Sequence, residues 1–482
     1  MNQGTRAISK VNESEPSLAT ERLHRAILLA LCVVVLFTDS VSKELHGTAV
    51  FYASLARELL DSGDPMLIYS DERAYLLKPP LVVWLSALGC KVFGLSNFGV
   101  TFVSRIAGVG VILLTYALLR RWWNHPVAWL GAFAVLTNST FVQFTATLRM
   151  DSALMFGMLL SAVGWAYRDR AWGAPAMYGG ITLAVLSKGP LGFAAIPLIV
   201  CHAIVLRESP VTRSNAWWSL LLLPIVIWYG ILINLHGLAP LTELGADTLR
   251  ATAMPELGRW QSAYQEYAIK PLRRYWPWLP FMVLGATLAV WRLRARELPQ
   301  VMRLNYLWFV LWLVVVVVGA IGKPDHDIRY FYPALPVLGL FAGIGLMALT
   351  RNRFPSWIPG LLLAVIIGLV IFPGNRSWRA DDTRETIAKI NQSLISSEQL
   401  LAIGGYPVRM DQGRRQNTHR DWVHFYTGKT PTVLSWDQVE RDHPKFTTGV
   451  FLTHSRGHEA RLEQFGLEKS FTTNEIIFAL PR

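Results

Sequence analysis

Cysteine is scarce, three in 482 residues, so no disulfide framework holds this chain together. Cys32 and Cys201 fall inside apolar runs, and Cys90 has no evident partner. Charge is thin as well. Only 16% of residues are Asp, Glu, Lys or Arg, against 52% hydrophobic, and the mean hydropathy is +0.32. That excludes an ordinary water-soluble domain, whose surface demands more polar cover. Lys and Arg outnumber Asp and Glu by 46 to 33, a formal net charge of +13. The basic residues nevertheless form no continuous stripe, which argues against nucleic acid as a partner. Neither a repeat of fixed period nor a low-complexity tract is present. Arg22 and Arg25 precede an apolar stretch without a small-residue cleavage site after it, so that stretch reads as an uncleaved first span.

What the chain does have is long apolar runs. Leu28–Phe37, Val100–Leu119, Leu304–Ala320 and Trp357–Phe372 are rich in Val, Leu and Ile and carry almost no charge. A spanning helix needs roughly 20 such residues. The 19 tryptophans suit membrane interfaces. The pattern predicts an all-α polytopic membrane protein with about eleven spans: 24–38, 99–119, 127–146, 152–167, 174–187, 189–206, 216–234, 277–291, 304–321, 333–349 and 356–372. Arg120–Arg121, Arg168 with Arg170, Arg207 with Arg213, Arg292 to Arg303, and Arg351 with Arg353 fall at alternate loops. Short basic loops stay cytoplasmic. The segment 1–23 joins that side, and the C-terminus falls outside. Two outer loops are long, 39–98 and 235–276. Residues 374–482 are polar, with a helical pattern at Thr383–Leu394 and short apolar strands at Leu400–Ile403, Thr432–Ser435, Val450–Thr453 and Ile476–Leu480, which predicts a small external α/β domain.

The outer face carries cations that the loop-charge rule does not expect. Lys78, Arg149, Lys188, Arg250, Arg259, Lys270, Arg273, Arg274, Lys323 and Arg329 all map there, each at or near a span boundary. Ionisable groups at such positions need partners, and they suggest function. Cations converging from separate helices would make a site for an anion at headgroup depth, a lipid phosphate above all. The plainer alternative is that each anchors its own helix by snorkelling. Carboxylates are the second ingredient. Asp39 and Glu44 lie just past the first span, and Asp151 follows Arg149 within Leu148-Arg149-Met150-Asp151. Asp151 could act as a general base on an acceptor hydroxyl or amine, hold a divalent metal ion, or pair with Arg149.

Five motifs in order then carry a resemblance. The stretch from Tyr52 through Arg57 and Glu58 to Gly63-Asp64 resembles the first-loop signature of a bacterial family, the aminoarabinose (lipid A) transferases, and of the related dolichyl-phosphate-mannose-type protein mannosyltransferases. Lys78-Pro79-Pro80-Leu81 with Trp84, Arg149-Met150-Asp151, Ser187-Lys188-Gly189-Pro190, and Lys323 followed by Tyr330 and the Pro333-to-Pro336 turn continue it. The resemblance covers roughly residues 25–350. It implies a GT-C fold with the active site at the outer face of the bacterial inner membrane, taking its sugar from a polyprenyl phosphate. It implies that Lys78 grips the donor phosphate, with Arg149, Lys188, Lys323, Arg329 and Tyr330 as further members of the clamp. Fixed cations there would favour the charge that develops on the leaving phosphate. The chain departs from the family at its acidic positions, where Thr48 and Ala49 are neutral, and Leu77 precedes the motif lysine. Glu44 is then the favoured base, Asp151 the second and Asp39 the third, with His46 a local alternative.

The activity so implied is transfer of a sugar from undecaprenyl phosphate to a lipid acceptor at the outer leaflet, lipid A or another envelope glycolipid. Lys270, Arg273 and Arg274 could meet an anionic acceptor or serve as interfacial anchors. A protein O-mannosyltransferase of the same fold differs only in acceptor. A lipid-sugar flippase is set aside because charges at mid-membrane depth and pseudo-symmetric halves are not seen. A non-catalytic binding protein stays open through the missing acidic pair.

Overall fold

The computed structural model describes residues 16–38, 45, 48–65, 68–70, 73–75, 78–210, 215–239, 242, 264–295, 298–321, 327–351, 353–371, 400–403, 409–411, 414–416, 418–428, 432–434, 438, 441, 450–454, 467–473 and 476–481. Each apolar run coincides with helix. The first is α1 (Leu18–Phe37), whose N-terminus is capped by the Ser17 hydroxyl accepting from the Thr20 amide at 3.2 Å. The stretch expected to be an outer loop, 39–98, instead holds α2 (Thr48–Ser62), a hairpin of β1 (Tyr69–Ser70) and β2 (Arg73–Ala74), and α3 (Leu81–Phe93). Pro79 and Pro80 start α3 because their fixed φ suits a helix entry. The Trp84 indole then donates to the Pro65 carbonyl at 2.8 Å and ties the loop back onto α3.

Next come α4 (Asn97–Trp122), α5 (His125–Leu136), α6 (Ser139–Ala146), α7 (Met150–Ala166) and α8 (Gly173–Lys188). The run 127–146, expected as one span, is broken. Asn138 accepts from the amides of Thr140 (2.9 Å) and Phe141 (3.3 Å) and starts a new helix, so α5 and α6 bend by 59°. A 3-10 turn, Gly189–Ala194, leads into α9 (Ala195–Leu206). Gly189 sits at φ +71°, a conformation that β-carbons resist. Trp165 at the end of α7 packs with Met177 and Tyr178 near the start of α8 and with Ile199 and Ala203 near the end of α9. The chain therefore reverses at Gly189, and α8 and α9 run antiparallel.

The remaining helices are α10 (Leu223–His236), the short α11 (Lys270–Arg274), α12 (Leu279–Arg294), α13 (Gln300–Ile321), α14 (Leu335–Leu349), entered through a 3-10 segment at Ile328–Ala334, and α15 (Ile358–Ile371). Five helical stretches among the described residues are long and apolar enough to cross a membrane when Gly173–Leu206, which turns back at Gly189, is taken as one, or six if α5 and α6 count as one bent span. Others are shorter. The 17 residues of α7 rise about 25 Å, less than the ~30 Å of a hydrocarbon core. α7 packs along α8 and α4, and α14 is sandwiched between α12 and α5. A β-carbon on Gly285 of α12 would lie 1.9 Å from the Phe341 carbonyl oxygen, so these two helices touch backbone to backbone, as small residues permit in membranes. Trp129, Trp165 and Trp312 fill the core.

At the end that carries the basic loops, a buried polar chain joins three helices. The imidazoles of His24 and His125 are hydrogen-bonded at 2.9 Å, the second His24 nitrogen donates to the Ser356 carbonyl at 2.9 Å, and Tyr116 bridges His125 to Glu21. Toward the C-terminus, β3 (Leu400–Ile403) lies parallel between β6 (Thr432–Leu434) and β7 (Val450–His454). β9 (Ile476–Pro481) then pairs antiparallel with β7 and with β8 (Leu467–Thr473). β4 (Arg409–Asp411) and β5 (Arg414–Gln416) form a separate hairpin. The expected helix at 383–394 lies outside the described residues. One helix of this region, α16 (Thr418–Thr427), rests on α2. Arg57 donates to the Phe425 carbonyl at 3.1 Å, near the electronegative end of α16, and Ser54 meets His424 at 3.0 Å.

Candidate functional site

Side-by-side antiparallel packing puts the N-terminus of α7 beside the C-terminus of α8. Asp151 sits in the first turn of α7 and Lys188 is the last residue of α8, each at the helix end whose dipole suits its charge. The Lys188 ammonium donates to Asp151 Oδ1 at 2.5 Å, with side-chain exposures of 13% and 7%. This corrects one expectation. Asp151 is paired with Lys188, not with its sequence neighbour Arg149. Arg149 occupies the extended cap position before α7, and its guanidinium lies over the Phe144 ring at 5.1 Å. Its Nε is buried, with no hydrogen-bond partner among the described residues.

The third element is the 3-10 segment. Asp327 caps it, accepting from the Arg329 amide at 2.9 Å, and its other oxygen lies 3.5 Å from the Arg329 guanidinium. Arg329 donates to the Tyr330 hydroxyl at 3.0 Å and stacks over that ring at 5.0 Å; the Lys188 ammonium lies 5.7 Å from the same ring centre. Tyr332 fixes the segment from behind. Its hydroxyl is 2.6 Å from that of Thr145 on α6 and 3.1 Å from that of Ser152 on α7. Arg329 and Arg149 both act electrostatically on Asp151, and Lys78 acts on Lys188. Lys78, just before α3, also faces Tyr52 of α2 together with Arg329. Burial pushes the Tyr52 hydroxyl up, against the pull of the Lys78 charge.

Six of the sequence-identified residues thus come together: Lys78, Arg149, Asp151, Lys188, Arg329 and Tyr330. Among the described residues, four cations and two carboxylates, Asp151 and Asp327, meet at this site. The proposed acceptor trio is arranged differently. Lys270 is paired with Glu266 one helical turn away, and Glu266 also accepts from the Ile328 amide at 3.2 Å. Arg274 donates to Gln143, its carbonyl accepts from Ser139 at 2.7 Å, and Arg273 is exposed. These contacts brace the rim of the 3-10 segment. Asp39, Glu44, His46, Arg250, Arg259 and Lys323 lie outside the described residues. Among the described residues no group of three or more His, Cys, Asp or Glu side chains gathers to hold a metal.

Sequence reasoning passed over three participants. Tyr52 stood in the recognised signature but had no role attached, and Asp327 is a plain N-cap signal ahead of Arg329. Arg105 is a charge inside the apolar run Val100–Leu119, and it is 2% exposed in α4. It corrects the expectation that no charge lies deep within a span.

Helices and cation cluster together define a multi-pass helical membrane protein with a charged site at its helix ends. Residues 77–232 match the family model described as dolichyl-phosphate-mannose-protein mannosyltransferase. An undecaprenyl phosphate-alpha-4-amino-4-deoxy-L-arabinose arabinosyl transferase of Shewanella sediminis is 22% identical over 344 residues, covering 67% of this chain and 58% of that protein. A second such transferase, from Proteus mirabilis, is 27% identical over 336 residues, 64% of this chain and 57% of its own length. The crystal structure of ArnT from Cupriavidus metallidurans bound to undecaprenyl phosphate superposes with a TM-score of 0.67 at 16% identity, covering 95% of this chain and 97% of that one. The chain is therefore similar to the mannosyltransferase family model over residues 77–232, to the arabinosyl transferases over about two thirds of its length, and to the ArnT structure in its fold. It spans less than two thirds of the length of these two curated relatives.

Proposed function

We propose that this chain is an integral membrane glycosyltransferase that moves a sugar from undecaprenyl phosphate to an acceptor at the outer face of the bacterial inner membrane. The observation that carries the reading is the convergence of Arg149, Lys188 and Arg329 around Asp151, with Lys78 acting on Lys188. The two undecaprenyl phosphate-dependent relatives, and the lipid bound in the similar crystal structure, support the same donor class. In this reading the chain crosses the membrane eleven times. The basic loops face the cytoplasm, and residues 374–482 form an external α/β domain.

The chemistry is a single displacement. A carboxylate takes the acceptor proton, the acceptor oxygen or nitrogen attacks the anomeric carbon, and the phosphate leaves with inversion at that carbon. Fixed cations that need no rearrangement stabilise the charge on the departing phosphate. Glu44 carries the base role, with Asp151 second and Asp39 third. Because Lys188 already occupies one oxygen of Asp151, Asp151 also serves to aim that ammonium. Lys323 joins the phosphate clamp, and Tyr330 backs it. Arg273, the exposed member of its trio, has the geometry to meet an anionic acceptor such as a lipid A phosphate, with Lys270 and Arg274 beside it. A protein acceptor is the second reading, favoured by the description of the matching family model.

The test is transfer in membranes supplied with polyprenyl-linked sugars. Lys78→Ala is expected to cut kcat/KM by roughly ten- to a hundredfold, the worth of one hydrogen bond to a charged group. Full activity in that variant sinks the clamp. Mass spectrometry of lipid A, wall polymers and secreted glycoproteins from a deletion strain separates the two acceptor classes.

A further inference from the structure

We infer that Arg105 is a positioning residue that holds together the two chain segments feeding the donor site. The inference rests on the donor-site reading above. Arg105 lies eight residues into α4 and is almost fully buried. Its guanidinium fork spreads over three acceptors. Nε donates to Thr101 Oγ1 at 3.1 Å, Nη1 to the Leu36 carbonyl, and Nη2 to the Ala146 carbonyl at 2.9 Å. Both carbonyls belong to helix C-termini, where backbone oxygens lack partners and the dipole favours a cation.

Those two helix ends are where the site begins. Leu36 lies in the last turn of α1, and the candidate carboxylate Asp39 follows it by three residues in the sequence. Ala146 closes α6, and Arg149 follows it by three residues, with Asp151 two further on. The preceding α4 residue adds a grip, since Ser104 donates to the Arg149 carbonyl at 3.4 Å. One turn of α4 thus fixes the starting points of both segments. A charge buried in an apolar helix is costly unless its contacts do such work. Only arginine can do it, because its planar fork serves two carbonyls at once while lysine offers a single point charge.

The experiment uses the full chain in lipid nanodiscs as wild type, Arg105→Lys and Arg105→Gln. Binding of undecaprenyl phosphate and amide exchange are read for each, and Arg105→Lys keeps the charge so that folding is least disturbed. The dissociation constant is expected to rise on the order of tenfold in Arg105→Gln and by less in Arg105→Lys, with faster exchange at 34–38 and 145–151 and wild-type exchange at 418–427. A merely structural role would speed exchange everywhere or lower the bound fraction at unchanged affinity, and either result overturns the inference. Wild-type affinity and exchange in both variants overturns it too. A wild-type protein that binds no undecaprenyl phosphate sinks the donor-site reading instead, and exchange at the two segments then decides Arg105 alone.

Discussion

Replacing Lys188 by Met takes the hydrogen-bonding partner from the Asp151 carboxylate, whose side chain is 7% exposed. At 2.5 Å and an effective dielectric of ~20, the direct attraction between the pair is about 6–7 kcal/mol. Most of that gain offsets the loss of hydration when both ions are buried. The single substitution removes that bond while Arg149 and Arg329 still act on Asp151, a cost of about 1.5–3 kcal/mol. Asp151→Leu strands the ammonium and should cost a similar amount. The double variant Lys188→Met/Asp151→Leu removes both ions and is expected to recover most of the stability while staying inactive. Unfolding in mixed micelles of rising SDS fraction gives all four corners of the cycle. If the two single losses simply add in the double variant, the groups do not interact and the ion-pair account is refuted.

Three further outcomes follow from contacts away from that pair. Arg168 bonds the Glu208 carboxylate and holds its carboxyl below the ordinary 4.5, against the opposing effect of partial burial. A lowered folded-state pKa gives stability that is present above the unfolded value and is lost as pH falls through the folded one. Wild type is therefore expected to exceed Glu208→Gln by a constant margin above pH ~5, closing below pH ~4; a margin that stays open in acid contradicts the pairing. Gly285→Val places side-chain atoms where the Phe341 carbonyl lies and should destabilise the α12–α14 contact by about 1–3 kcal/mol in the same SDS titration. Arg57→Ala removes the donor to the Phe425 carbonyl and should speed amide exchange across 418–427, while Arg57→Lys should restore part of the protection.

Helices were legible in the sequence because apolar length specifies them, and the expected spans overlap helices among the described residues, with 127–146 broken in two. Boundaries set by local chemistry were partly legible too. Asn138 followed by Ser139 and Thr140 is a cap signal inside an apolar run, and it marks the 59° bend. Burial of α3 was not legible, since Leu81–Phe93 has 13 residues and falls short of any length criterion for a span. At the site, residue types at span boundaries singled out Lys78, Arg149, Asp151, Lys188 and Arg329 without any coordinates. Their pairing was hidden, because the contact between Lys188 and Asp151 depends on α7 and α8 lying antiparallel. Arg105 was hidden for a different reason. One charge among twenty apolar residues hardly alters hydropathy, and its meaning lies in the ends of two other helices.

The central claim is that fixed cations on separate helices share one phosphate. A cryo-electron microscopy structure of the full chain with undecaprenyl phosphate measures this directly. The account expects phosphate oxygens within ~3–4 Å of the Lys78 ammonium and the Arg329 guanidinium, with Lys188 still bonded to Asp151. Lipid phosphate density elsewhere, with that cluster unchanged and unliganded, would contradict it.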